Sequence, residues 1–194
     1  MPSTIGDVFI VSGLPRSGTS LAMQLLQAAG IEPYTDNFRP ADVHNQKGYF
    51  ESGKVLTLPK DNSWLHEASG KSLKVISTLL RYLPERYTYK VIFMERSLEE
   101  IVASQQSMLE GLGKKGAGIA PEKMVDIYAK ELATILMWVE KQPHFTTLRL
   151  SYNEILSRPE VVIPDLIGFV GSQAKPDDLI KVLDHSLYRS KSNQ

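Results

Sequence analysis

The apolar run Val8-Phe9-Ile10-Val11 leads directly into Ser12-Gly13-Leu14-Pro15-Arg16-Ser17-Gly18-Thr19-Ser20. Beyond it, Leu21, Leu25, Leu26 and Ala29 recur at helical spacing up to Gly30. A short, unbroken apolar run fits a strand buried on both faces of a parallel sheet. Gly30 suits the left-handed position that closes a helix. Strand, glycine loop and helix in that order restrict the chain to α/β architectures in which the loop sits at the carboxyl end of a buried strand.

Gly13 and Gly18 flank four residues and Thr19-Ser20 follows. The stretch therefore matches a phosphate-cradling loop, except that Thr19 stands where lysine is expected. The glycines permit tight turning and close backbone approach, and the amides of residues 17–20 open a helix whose positive end faces an anion. Arg16 offers a cation from inside the loop, with a forked donor suited to phosphate or sulfate oxygens. The plainer alternative is an ordinary turn with a solvated arginine. Agreement between strand, loop and helix favours anion binding over it.

The same alternation continues downstream. Residues 73–76 read as a short strand, 78–83 as a helix stopped by Pro84, and 91–94 as a second buried strand. Ser97-Leu98-Glu99-Glu100 matches the capping box of a further helix. Residues 111–118 hold four glycines with Lys114 and Lys115, which suggests a mobile loop able to act as a lid. Pro121 opens a long helix to about residue 141, residues 145–150 form a strand, and 152–156, 161–170 and 177–187 read as helices. Residues 31–50, rich in turn formers, read as a long loop. The expected fold is a three-layer, nucleotide-binding α/β fold of the P-loop type, with a mostly parallel sheet covered by helices on both faces. One domain is expected to span residues 1–194.

Composition narrows the partners. Lys plus Arg and Asp plus Glu are 22 each, so no global basic field exists to hold nucleic acid, and an anion site must be local. With no cysteine, thiolate metal sites and disulfides are excluded. No signal peptide or membrane-spanning run is evident, and a soluble, cytoplasmic protein is the default expectation.

The loop Gly13 to Ser20 resembles that of sulfotransferases that use 3′-phosphoadenosine 5′-phosphosulfate (PAPS), especially the tyrosylprotein, carbohydrate and bacterial branches with a Pro-Arg-Ser-Gly-Thr core. Val91-Ile92-Phe93-Met94-Glu95-Arg96-Ser97 through Ala103-Ser104 resembles that family's second motif, a strand ending in arginine with a helical serine eight residues later. Asn45-Gln46-Lys47-Gly48-Tyr49-Phe50-Glu51 is similar to a segment of bacterial members, with Gln46 in place of the usual proline. Residues 148–171 resemble the family's closing strand and helix. The resemblance implies Arg96 and Ser104 on the 3′-phosphate, and Pro15, Arg16, Ser17, Gly18, Thr19 and Ser20 on the 5′-phosphosulfate end. It also implies PAPS as co-substrate, 3′-phosphoadenosine 5′-phosphate (PAP) as product and no required metal.

Sulfuryl transfer needs an in-line acceptor hydroxyl or amine, a base, and positive groups on the oxygens gaining charge. Arg16 and the loop amides suit the last role. Glu51 is the first candidate base and His44 the second. The acceptor is expected to be a small molecule, a glycan or a peptide. Two rivals stand: a small-molecule kinase or triphosphatase using Glu95 and Ser20 on a metal, and a PAPS- or PAP-binding protein without transferase activity. Without the loop, Arg96 would be read as pairing with Glu99 or Glu100.

Overall fold

Apolar runs that alternate between two faces build the centre of the molecule. The computed structural model describes residues 7–36, 48–114, 116 and 118–183. Among the described residues four strands, β1 (Val8–Gly13), β2 (Ser72–Lys74), β3 (Tyr89–Glu95) and β4 (Phe145–Ser151), form one sheet in the order β2-β1-β3-β4. Every pairing is parallel, with Gly13 opposite Met94 and Glu95 opposite Ser151. The expected α/β class and parallel sheet are therefore observed.

Period-two alternation splits the core. Val8, Ile10, Leu73, Val75, Tyr89, Val91 and Phe93 bury one face under Val55, Leu58, Trp64, Leu65 and Leu80, with Ile135 and Val139 of α3 (Pro121–Val139). Val11, Ile92, Met94 and Leu150 bury the other under α1 (Thr19–Ala28), α4 (Tyr152–Ser157), α5 (Pro159–Val170) and α6 (Pro176–Ile180). Each fully buried aliphatic side chain contributes about 1.5–3 kcal/mol relative to exposure. Gly30 ends α1 as expected: its φ is 85°, Ile31 N–H donates to the Leu26 carbonyl, and Gly30 N–H donates to that of Gln27.

Several boundaries differ from the sequence reading. The layer over the first face is made largely of 3-10 turns, Gly53–Thr57, Ser63–Ala68 and Ser77–Tyr82, the last replacing the helix expected at 78–83. Within the stretch read as loop, residues 32–34 hydrogen-bond to Ser72 and extend the sheet edge. The final helix runs Pro176–Ile180, and the expectation for residues 184–187 lies outside the described residues. α2 (Leu98–Gly111) is followed by residues without helix or strand at 112–114; Lys115 of the expected lid is outside the described residues.

The chain leaves β1 through α1 towards β2, but leaves β3 through α2 and α3 towards β4. The carboxyl ends of β1 and β3 thus flank a topological switch point, where open parallel sheets place ligands.

Candidate functional site

The loop after β1 is bent by two glycines with different duties. A Cβ on Gly13 (φ 145°) would stand 2.5 Å from the Met94 carbonyl oxygen and 2.6 Å from Ser17 Oγ, so only glycine lets the loop lie against β3. A Cβ on Gly18 (φ 100°) would overlap the ring of Tyr152. Between them Arg16 takes φ 72°, a left-handed conformation costing a non-glycine residue about 1 kcal/mol or more. Buried Leu14 anchors the loop, while Pro15 is exposed. α1 starts at Thr19 with no side-chain cap and no acidic residue in its first turn. The first turn itself thus carries no carboxylate to offset its amino-terminal positive end. The Ser12 and Ser17 hydroxyls are buried and have no hydrogen-bond partner among the described residues.

On the β3 side, three expected residues converge. Arg16 Nε donates to Ser104 Oγ at 3.0 Å, across 88 residues of sequence. Arg96 Nη1 donates to the Arg16 carbonyl at 3.3 Å, and Arg96 Nε to Glu100 Oε2 at 2.7 Å. The Arg96 and Glu100 side chains are only 8% and 4% exposed. The alternative expectation, an Arg96–Glu100 pair, is therefore present, and it coexists with the contact to the loop. Glu100 also accepts from Asn153 Nδ2 at 3.1 Å, and the Arg96 guanidinium lies 4.5 Å from the Tyr152 ring centre. Burial pushes the Tyr152 phenol above its ordinary value, against the pull of Arg96, so the ring is neutral where it touches Gly18 and Arg96.

On the β2 side stands a cation that sequence reasoning missed. Lys74 closes β2, and its Nζ donates to Ser20 Oγ at 3.1 Å and to the Tyr49 carbonyl at 2.8 Å. It lies 3.5 Å from Glu51 Oε1, with its own side chain 10% exposed. Glu51 is held in turn by its backbone. Thr35 Oγ1 donates to its carbonyl, and Asp36 accepts from the Ser52 hydroxyl and the Gly53 amide. Glu51, Ser52, Val55, Leu56, Lys74 and Ile76 line a cavity beside this pair. The signal was a lone lysine breaking an apolar strand at the end where ligands bind.

Other expected residues are placed elsewhere. Glu95, the rival metal carboxylate, accepts from Arg149 Nε at 2.7 Å, on the β4 side. His66 is exposed and bonded to the Ser63 carbonyl, and His144 packs between Tyr89 and Phe145. His44, Lys47, His185 and Arg189 lie outside the described residues.

Comparison with known proteins gives one family and a set of folds. The family model described as sulfotransferase domain matches residues 6–194. The sulfotransferase domain from the curacin biosynthetic pathway is 14% identical, with TM-score 0.52 over 98% of this chain and 82% of that one. Retinol dehydratase in a complex with retinol and PAP is 15% identical, with TM-score 0.54 over 96% of this chain and 66% of that one. A sulfotransferase from Alicyclobacillus acidocaldarius is 13% identical, with TM-score 0.51 over 96% and 97%. These likenesses concern the fold. Among curated proteins, none matches this sequence.

Proposed function

Because the chain belongs to the sulfotransferase domain family, we propose that it moves a sulfuryl group from PAPS to an acceptor hydroxyl or amine. The observation that carries this reading is the pair of cationic poles flanking the loop, Arg16–Ser104–Arg96 towards β3 and Lys74–Ser20 towards β2. A ligand with phosphate at one end and phosphosulfate at the other suits two such poles better than a single triphosphate does. The buried Ser17 hydroxyl, without a hydrogen-bond partner among the described residues, and the start of α1, without a side-chain cap there, fit an anion between them.

In this reading Arg96, Arg16 and Ser104 take the 3′-phosphate. The assignment of Arg16 to the 3′-phosphate, where the resemblance implied the sulfuryl end, is supported by its hydrogen bond to Ser104. Lys74, Ser17, Thr19, Ser20 and the first amides of α1 take the 5′ end. The donor supplies an activated sulfur–oxygen bond, and Lys74 together with the amides neutralises charge gathering on the oxygens of the departing phosphate. Glu51, beside Lys74, takes the acceptor proton. The kinase reading is weakened by Glu95, whose carboxylate is engaged by Arg149.

Calorimetry tests the proposal. PAP should bind at micromolar concentration in the presence of EDTA, ATP with magnesium should bind more weakly, and Arg96→Met should weaken PAP binding by tenfold or more. Tighter binding of magnesium–ATP would overturn the reading. PAP binding with no transfer from PAPS to any acceptor would leave a nucleotide-binding protein.

A further inference from the structure

We infer that the acceptor is an apolar alcohol carrying its hydroxyl at one end, rather than a sugar; this rests on the transferase reading above. The cavity beside Lys74 is lined by the polar Glu51, Ser52 and Lys74 and by the aliphatic Val55, Leu56 and Ile76. Glu51 and Lys74 stand 3.5 Å apart in that lining. The rest is Val55, Leu56 and Ile76, and Leu56 and Ile76 are 60% and 46% exposed, high values for side chains of that size. Ser52, the other polar residue of the lining among the described residues, uses its hydroxyl proton on Asp36 and accepts from the Lys54 amide.

Among the described residues, the polar groups of the lining belong to Glu51, Ser52 and Lys74, and the Val55, Leu56 and Ile76 side chains offer a ligand no hydrogen-bond partner. A sugar placed there would lay several hydroxyls against Leu56, Ile76 and Val55, where each would lose water without gaining a partner. An alkyl or alicyclic body instead removes the exposed faces of Leu56 and Ile76 from water. Lys74 ties this cavity to the loop, because the same ammonium reaches Ser20 at the start of α1 and stands beside Glu51.

The step balances without any further reactant. The alcohol oxygen bonds to sulfur as the bond from sulfur to the 5′-phosphate oxygen breaks. The alcohol proton passes to Glu51, and a sulfate monoester and PAP are released.

The test uses the full chain, radiolabelled PAPS and straight-chain alcohols from butan-1-ol to octan-1-ol, with N-acetylglucosamine as the sugar probe. KM should fall about two- to fourfold with each added methylene, the increment of burying one such group. Transfer to N-acetylglucosamine should be at least a hundredfold less efficient. Leu56→Asp, at an exposed position, should raise the octan-1-ol KM by about tenfold and flatten the chain-length series. Its PAP affinity by calorimetry should equal that of the parent. A KM independent of chain length, or preferred transfer to the sugar, would overturn the inference while PAP binding and transfer left the proposed function standing. Failure to bind PAP, with no transfer to either class, would overturn both.

Discussion

Lys74→Met keeps an unbranched side chain but removes the ammonium shared by Ser20, Tyr49 and Glu51. Turnover with radiolabelled PAPS is expected to fall by about a hundredfold or more, the usual cost of deleting one preorganised charge at a reacting centre. Lys74→Arg should restore part of the loss. His144 makes a separate prediction. Both its ring nitrogens are buried without a hydrogen-bond partner among the described residues, and desolvation holds it below its ordinary 6.5, with Glu85 opposing. The unfolded chain therefore takes up the proton first as pH falls. Stability is whole above about pH 6.5 and declines as pH drops through the folded-state value. In urea titrations His144→Phe should reduce the stability lost between about pH 7.5 and about pH 5; an unchanged loss would assign that decline to other groups. The contrast between Arg16 and Lys74 shows what sequence carries at this scale. Arg16 could be singled out because it lies inside a contiguous loop, although its bond to Ser104 could not. Lys74 meets Ser20 across 54 residues, a meeting set by β2 pairing beside β1.

Helix α2 gathers its functional side chains at four-residue steps: Arg96 just before it, then Glu100 and Ser104. That spacing puts them on one face, which turns towards the loop. Ser97 caps the helix by accepting from the Glu100 amide at 3.3 Å. The Glu100 carboxylate goes to Arg96 and Asn153, where a complete capping box would bring it back to Ser97. Ser97→Ala should cost about 1 kcal/mol in urea unfolding. Glu100→Ala should cost more, about 3–5 kcal/mol, because it removes the carboxylate that stands 2.7 Å from the buried Arg96 guanidinium. Strands, long helices and caps were legible because periods of two and 3.6 are visible over their length. The layer of 3-10 turns was not, since runs of five or six residues at three per turn leave no pattern to read. Its burial becomes evident only once Val55, Leu58, Trp64 and Leu65 meet the sheet.

At the scale of the molecule, a ligand at the switch point joins pieces distant in sequence: the loop after β1, the end of β2, helix α2 and the α4 residues behind Arg96. PAP at a hundred times its dissociation constant should therefore raise the midpoint of thermal unfolding by roughly 5–10 °C, following from a linkage of about 2.7 kcal/mol in a chain of this length. A midpoint unmoved by saturating PAP would contradict binding to the folded state. The two sides of the site also differ in how they are attached. Residues contacting the loop from the β3 side are rooted in regular helices and strands. Glu51, Val55 and Leu56 ride on short turns before β2, pinned at one end by Thr35 and Asp36 and returning to the sheet through the hydrogen bond from Gly70 to Asp7. Such a segment lends itself to transplantation. Chimeras that exchange residues 53–68 for the matching stretch of another family member, keeping the inward residues Val55, Leu58, Trp64 and Leu65 apolar, should inherit the graft's taste in acceptors while retaining this chain's grip on the nucleotide.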